Sequence, residues 1–281
     1  MDSTPTLIHQ TEKKWLHILS KGILRIFRET LLPSHDHNHH FRVWHYAKDL
    51  LLITGKSRSY KPYELENLII ASFFHDAGMT VTTDKKHGLE SRKQCESFFR
   101  AYRLPIPKHF DLALEAIEHH DNKDYPEKTN SHHLTLKALL SAADDMDAFG
   151  FIGIIRYAEI YFMRNIPLQS IGEEVLSNAR KRFNHFKSMF QKYTDFIENH
   201  RRRFNHLVTF YQGLDKNSEK RALLTQIQKN LWQNNNADLQ KMIEGVNDSK
   251  TIQSFRKELK KELQQFPEFG KSETGYDHIM P

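Results

Sequence analysis

Apolar side chains recur at intervals of three and four residues along almost the whole chain. This spacing collects them on one face of an α-helix, and no alternating run between turn residues lasts long enough to indicate a strand. The pattern therefore predicts an all-α protein. Helices are predicted from Trp15 to Phe27, from Phe41 to Leu51, over 62–73, 89–102, 108–121, 134–148 and 154–163, and as one long helix from 173 toward 211, with a loop over 121–133.

After Gly213 the composition shifts to Asn, Gln, Lys and Glu, but the helical spacing of apolar residues continues. This predicts two or three amphipathic helices, with an irregular tail from Pro267 onward. We therefore expect a helical core over 1–212 and a helical C-terminal extension over 213–281. Its apolar stripes should pack on the core, with a dimer contact as the alternative, through Leu223, Ile227, Ile252, Phe255 and Leu259.

Composition limits the classes of protein that the chain can belong to. The single cysteine, Cys95, fits a reducing compartment, and the absence of a secretory signal or bilayer-length apolar run predicts a cytoplasmic protein without a membrane partner. The net charge of +6 leaves nucleic acid open as a partner. A solvated helix face is favoured because Lys and Arg are interleaved with Glu, and a basic surface also suits a small anionic substrate. A homo-oligomer remains open.

The pair His75-Asp76 stands inside the apolar stretch 69–78. A protein core buries a carboxylate beside an imidazole at high cost unless a positive group binds both. A divalent cation is the simplest such group. Three further pieces could complete a metal site, and they are His39 with Arg42, His119-His120, and Asp144.

These residues resemble the H…HD…D pattern of the HD-domain superfamily of metal-dependent phosphohydrolases, which have an all-helical core. Residues 39–43 read H-H-F-R-V, similar to H-x-x-R-V, and residues 74–78 read F-H-D-A-G. Residues 143–156 are similar to the A-D-R-L-D-A-x-G-x-x-G-I-x-R segment of small bacterial HD hydrolases, and 179–198 to their closing helix. The resemblance spans about 33–203.

The resemblance implies that His39, His75, Asp76 and Asp144 hold a divalent transition metal with positions left open for water and phosphate. Nitrogen and oxygen donors suit Mn, Fe, Co, Ni or Zn. The implied reaction is hydrolysis of a phosphoester or phosphoanhydride bond, in a nucleotide or a related small phosphate compound. The metal would activate water while a nearby carboxylate, such as Asp76, steers the proton.

Other residues have expected roles around this site. One metal is expected. Extended HD-type sites, however, resemble H…HD…H…H…D and hold two metals. His87 and His119 are the candidate ligands of a second metal, and the alternative is that they form a hydrogen-bonding pair at a helix end. Arg42 is expected to reach phosphate or to fix a ligand, Asp76 or Asp144, by a salt bridge. Weaker candidates are Asp84 as proton donor and, for phosphate binding, Lys85, Lys86 and Lys123, while His35, His37, His132 and His133 are expected to be exposed.

Two other functions stay open from the sequence. Some proteins with the extended histidine set hold a di-iron pair that activates dioxygen, so the chain could be an HD-type oxygenase. A non-catalytic protein is the other alternative, in which the helical core senses a ligand and the basic C-terminal extension contacts a partner such as nucleic acid.

Overall fold

A computed structural model describes residues 2–30, 32–122, 134–233, 239–246 and 248–266 of the chain. Within these residues it contains eleven α-helices, two short 3-10 segments and no strand, which confirms the predicted all-α fold. No helix in the described part is long and apolar enough to cross a membrane. The helices are α1 (Thr4–Ile26), α2 (His37–Thr54), α3 (Pro62–Phe74), α4 (His87–Ala101), α5 (Phe110–His119), α6 (Leu136–Asp147), α7 (Gly150–Met163), α8 (Leu168–Met189), α9 (Thr194–Gln212), α10 (Ser218–Gln233) and α11 (Lys250–Leu263).

The helices that carry the motif residues begin at recognisable sequence signals. Asp36 caps α2 by accepting a hydrogen bond from the backbone of His39 at 3.1 Å. Thr135 caps α6 in the same way, through Ala138 at 3.2 Å. α3 begins at Pro62. Proline suits the first helical turn because the N–H that it lacks would have no partner within the helix there. These signals fix where each motif residue stands along its helix.

One apolar core lies between the first six helices. α2 packs against both α3 and α6, α1 packs against α3, and α5 packs against α3, α4 and α6. The core includes large, fully buried side chains such as Trp15, Phe73, Phe74 and Phe99. Because α2, α3 and α6 are in mutual contact, the ends of these three helices can present side chains to a common point.

A second apolar cluster joins α7, α8 and α9 to the C-terminal helices. α10 and α11 both pack on α7. The five residues predicted to pack the extension on the core are all buried in this cluster. The division into domains at residue 212 stays a prediction. The tail from 267 lies outside the described residues, and so do residues 123–133 of the predicted loop.

The long helix predicted from 173 toward 211 is two helices in the structure. α8 ends at Met189 and α9 begins at Thr194, and the two helices pack against each other. The rings of Phe183 and Phe204 stack across this pair with centroids 4.3 Å apart. The apolar spacing continues through the turn because Phe190, which is fully buried, and Tyr193, which is partly buried, also pack on the core. Tertiary packing therefore breaks a helix that periodicity alone would extend.

Candidate metal centre

Three helix ends deliver the four residues of the H…HD…D pattern to one place. His39 lies in the first turn of α2, His75 and Asp76 follow the end of α3, and Asp144 lies in the last turn of α6. All four residues are buried. One ligand atom from each lies within 4.8 Å of the others. The structure thus brings together the residues that the sequence pattern selected.

The distances between the donor atoms fit a small metal ion. His39 Nε2 lies 3.0 Å from His75 Nε2, 3.3 Å from Asp76 Oδ2 and 3.6 Å from Asp144 Oδ1. A first-row metal bonded at about 2.0–2.2 Å holds neighbouring ligands about 3.0–3.5 Å apart. A modest contraction around an ion therefore satisfies the coordination distances.

The hydrogen bonds behind the two imidazoles fix which nitrogen faces the centre. His39 Nδ1 donates to Asp147 Oδ2 at 2.8 Å, and His75 Nδ1 donates to the carbonyl of Ser72 at 3.0 Å. Since these partners only accept, both Nδ1 atoms carry the proton and both Nε2 atoms present lone pairs. Burial lowers the pKa of His75 to about 3, so its ring is neutral at physiological pH. Two lone pairs that face each other in a core favour a positive group between them, and a divalent metal could fill this position.

A second group of donors shares Asp76 with the first. His120 Nε2 lies 3.0 Å and His87 Nε2 3.4 Å from Asp76 Oδ1, whereas Oδ2 of the same carboxylate faces His39. His87 Nδ1 donates to the carbonyl of Asp84 at 2.7 Å and His120 Nδ1 to that of Ile117 at 2.8 Å. Their Nε2 atoms therefore face Asp76; His120 Nε2 donates a hydrogen bond to Oδ1 in this structure, and a metal would take the place of that proton. Asp76 is placed to bridge two cations.

The charge balance at Asp76 supports this arrangement. Burial alone would lower the pKa of His120, but the hydrogen bond and charge of Asp76 outweigh it, and the pKa is raised. Burial alone would raise the pKa of Asp76, but His75, His120 and His39 together hold it well below its usual value. Asp76 is thus an ionised carboxylate that stabilises positive charge on both of its sides.

His120, and not the predicted His119, belongs to the second group. The side chain of His119 is 48% exposed, whereas that of His120 is 2% exposed. Successive residues of a helix point about 100° apart, so only one of two adjacent histidines at the end of α5 can face the core. The structure therefore corrects this ligand assignment by one residue.

The approach of α4 to the His-Asp turn explains a glycine of the motif. A Cβ atom on Gly78 would collide with the backbone of His87 and Ser91. The backbone N–H of Gly78 donates to Ser91 Oγ at 2.8 Å. Only glycine allows the first turn of α4, with His87, to lie this close to Asp76.

Asp147 is a buried carboxylate that joins several side chains of the centre, and the sequence pattern did not predict it. It accepts hydrogen bonds from His39 Nδ1, from Arg42 Nε at 2.7 Å and Nη2 at 3.0 Å, and from Arg156 Nη1 at 3.1 Å. Burial alone would raise the pKa of Asp147, but the two guanidinium groups and His39 hold it well below the usual range. Asp147 stands three residues after Asp144, so it shares the inner face of α6, and that spacing was the available signal.

Arg42 has a different role from the expected one. It pairs with Asp147, not with Asp76 or Asp144, and it is buried away from the cavity residues. Burial would lower the pKa of Arg42, but Asp147 raises it, so the guanidinium stays charged. Arg42 is not among the residues that line the two cavities. It holds the carboxylate that orients His39.

Two arginines that were not predicted take the place expected of Arg42. Arg156 Nη2 lies 3.1 Å from Asp144 Oδ1 and 3.2 Å from His39 Nε2. Arg182 Nη1 lies 2.8 Å from Asp145 Oδ1 and 3.5 Å from Asp144 Oδ2. Both arginines line the cavity at the metal centre. They put fixed positive charge beside the open side of the His/Asp group.

A polar cavity extends from the metal centre. The smaller space next to Asp76, Asp144 and His120 shares several lining residues with a cavity of about 600 Å³. The shared lining residues carry hydrogen-bonding or charged groups, and they are His87, Asp121, Tyr161, Asn178 and Arg182.

The weaker candidates are distributed unevenly around this cavity. Lys85 lines the larger space, but Lys86 is exposed and lines neither cavity. Asp84 is also exposed, and its carboxylate accepts from the backbone of Lys86 at 2.7 Å, so it is not placed to donate a proton at the centre. The carbonyl of Asp84 instead orients His87. Lys123 lies outside the described residues.

His35 is buried, contrary to the expectation that it is exposed. Its Nδ1 lies 2.7 Å from Glu159 Oε1, and the backbone N–H of Ser34 donates to Glu159 Oε2 at 2.8 Å. Burial raises the pKa of Glu159 to about 8 and lowers that of His35 well below its ordinary value. His35 also lines the cavity beside the metal centre. The loop before α2 therefore forms a fixed, polar wall of the site. Of the other histidines expected to be exposed, His37 is partly buried, and His132 and His133 lie outside the described residues.

Comparison with known proteins gives one result. The family model HD-CE matches residues 24–263, from the end of α1 to the end of α11. A search of curated proteins and a search of solved structures returned no match. The matched range contains both groups of candidate metal ligands and the C-terminal helices α10 and α11.

Proposed function

The chain belongs to the HD-CE family, and we propose that it is a metal-dependent phosphohydrolase. The bond cleaved is a phosphoester or phosphoanhydride, in a nucleotide or a related small phosphate compound. One observation carries the proposal: four buried imidazoles have Nδ1 tied to an acceptor and Nε2 turned toward the carboxylate of Asp76. This arrangement suits the binding of cations, because each imidazole can present a lone pair beside an ionised carboxylate.

The residues divide into two cation sites that share Asp76. His39, His75, Asp76 Oδ2 and Asp144 would hold the first cation, and Asp76 Oδ1, His87 and His120 would hold the second. When bound, a divalent metal lowers the pKa of a water ligand and offsets charge on a phosphoryl oxygen. Nitrogen and oxygen donors favour Mn, Fe, Co, Ni or Zn over a metal that prefers thiolate. Asp147 and the carbonyls of Ser72, Asp84 and Ile117 keep the imidazoles in the tautomer that binds metal.

The chain's own cations would bind the anionic group of the substrate. Arg182 and Arg156 border the centre and line the cavity, so they can donate to phosphoryl oxygens and stabilise the charge that develops there. Lys85 and Lys181 lie farther out on the wall of the larger cavity. The same wall also carries the carboxylates of Glu118, Asp121 and Glu174, so the two arginines at the centre are the cations placed for a phosphoryl group.

The cavity supports a substrate of nucleotide size. Small-molecule sites commonly have volumes of about 300–1,000 Å³, and the larger space measures about 600 Å³. Its uncharged polar lining offers donors and acceptors to a sugar or base through Asn122, Ser177, Asn178 and Tyr161. A phosphate would then lie at the narrow end, next to Asp144 and Arg182.

The test is hydrolysis by the full chain with each candidate metal, on a panel of phosphomonoesters, phosphodiesters and nucleoside triphosphates. Asp76→Ala should abolish turnover and leave the far-UV circular dichroism nearly unchanged, because it removes a ligand from both sites but little apolar packing. Asp49→Asn, a change of a half-exposed carboxylate on α2, is the matched control and should retain activity. Full turnover by Asp76→Ala with saturating metal would refute the proposal.

The bridging position of Asp76 also favours a second candidate, a di-iron HD-type oxygenase. That function requires two irons in each chain and consumption of dioxygen with an organic substrate. The two arginines on the cavity wall favour the hydrolase, since they suit an anionic substrate. Oxygen-electrode measurements on protein reconstituted with iron separate the two functions.

A further inference from the structure

The corner between α6 and α7 carries three residues of the proposed centre. Asp144 and Asp147 lie in the last turn of α6, and Arg156 lies in the second turn of α7. Arg156 contacts both carboxylates, at 3.1 Å each. The angle between the two helices therefore decides whether these three side chains meet.

Glu262, in the last turn of α11, caps the start of α7. Its Oε2 accepts hydrogen bonds from the backbone N–H groups of Phe151 at 2.6 Å and Ile152 at 3.1 Å. The first N–H groups of a helix have no partner within it, and a carboxylate there also opposes the positive end of the helix dipole. Glu262 is a cap that comes from more than a hundred residues away, and it is buried.

Arg203, on α9, connects the same carboxylate to the other side of the corner. Its guanidinium lies 2.6 Å from Glu262 Oε1. Nη1 donates to the carbonyl of Met146 at 2.8 Å, and Nη2 to that of Phe149 at 3.0 Å. Glu262 and Arg203 thus bind the end of α6 and the start of α7 simultaneously.

The backbone of the corner passes close to Glu262 at Gly150. Gly150 has φ of +78°, in the left-handed region that favours glycine. A Cβ atom there would also collide with the carboxylate of Glu262. The turn between α6 and α7 therefore packs closely against α11.

We propose that Glu262 is a positioning residue for the metal centre, since it fixes the angle at which α7 leaves α6. Arg156 lies six residues beyond Gly150, about 9 Å along the helix, so a tilt of about 5° would move it by about 0.8 Å. That shift exceeds the tolerance of a 3.1 Å hydrogen bond. A change in this angle would also weaken the hydrogen bonds from Arg156 to Asp144, a candidate ligand, and to Asp147, which orients His39. This inference rests on the proposed function, because it requires that the centre binds metal.

The test measures the affinity of the full chain for Mn²⁺ by titration calorimetry, well below the melting temperature. Glu262→Ala should weaken binding by about tenfold, as loss of an outer partner of a metal site commonly does. Leu223→Ala is the matched control, because Leu223 is fully buried in the C-terminal cluster but makes none of the hydrogen bonds that hold the corner. It should lower the melting temperature at least as much and leave the affinity for Mn²⁺ unchanged.

A second variant covers the case in which Glu262→Ala does not fold. Glu262→Gln keeps an oxygen for the N–H groups of α7 but loses the charge opposite Arg203, and it should weaken binding by about threefold. Amide hydrogen exchange should rise over residues 143–156 in the Glu262 variants and not in Leu223→Ala.

The outcomes distinguish the two proposals. If the parent binds Mn²⁺ and the Glu262 variants bind it equally well, or if Leu223→Ala loses as much affinity, the inference is overturned and the proposed function stands. If the parent binds no divalent metal, both are overturned.

Discussion

Asp147→Asn tests whether the carboxylate that orients His39 supports metal binding. The substitution preserves the shape of the side chain but replaces a carboxylate that accepts hydrogen bonds from His39, Arg42 and Arg156. Asparagine has one acceptor oxygen for these three donors, and its NH₂ group faces one of them. Two guanidinium groups are then left in the core without their shared counter-charge.

The expected magnitudes follow from this loss. Removing one partner of a buried ion pair costs about 3–5 kcal/mol, which for a chain of this size lowers the melting temperature by about 6–20 °C. Loss of the acceptor that orients a metal-binding histidine lowers metal affinity by about 10–100-fold. Both effects should appear in the same variant, because one carboxylate serves both roles.

The assay combines thermal melts with Mn²⁺ titrations of the parent, Asp147→Asn and Asp145→Asn. Asp145 lies two residues before Asp147 on α6, is equally buried and pairs with Arg182 instead of His39. Its variant should lose stability and keep its metal affinity within about threefold. If Asp147→Asn binds Mn²⁺ like the parent, or if both variants lose the same affinity, Asp147 does not act through His39.

Three further predictions concern other parts of the molecule. His120→Ala should reduce the number of metal ions bound per chain from two to one, whereas His119→Ala should leave it at two; equal stoichiometry in both variants would contradict the bridging role of Asp76. Arg182→Ala should raise KM for a phosphate substrate by about 10–100-fold through loss of a charge-assisted hydrogen bond, and an unchanged KM would remove Arg182 from the substrate site. His200 is buried and its pKa is lowered to about 3 by burial and Arg203. Below about pH 6.5 the unfolded chain therefore binds a proton at His200 that the folded chain does not bind, so stability is lost as pH falls from about 6.5 toward 3. His200→Phe should reduce the difference in melting temperature between pH 7.5 and pH 5. An equal difference in the parent and the variant would refute the assignment.

The features that could be predicted from the sequence are those determined by residues that lie close together in the chain. Periodicity identified the all-α fold, and motif order selected His39, His75, Asp76 and Asp144, which the structure brings together. A local pattern is enough to place these residues at helix ends, because a helix end and the turn after it are determined by a few neighbouring residues.

The remaining features depend on how helices are rotated and paired, which no local pattern contains. His119 and His120 differ by about 100° around α5, and only the packing of α5 decides which one faces Asp76. Arg42 could reach several carboxylates from α2, and the position of α6 selects Asp147. Glu262 lies 112 residues after Gly150 in the sequence, so its cap on α7 has no signal near either residue.

Metal binding at the two sites can be observed directly by anomalous diffraction from crystals of the full chain, purified without chelators and soaked in Mn²⁺. We expect a peak about 2.0–2.3 Å from His39 Nε2, His75 Nε2, Asp76 Oδ2 and Asp144 Oδ1. We also expect a second peak between Asp76 Oδ1, His87 and His120. Crystals at saturating Mn²⁺ with no peak at the first position would contradict the metal centre and the function proposed from it.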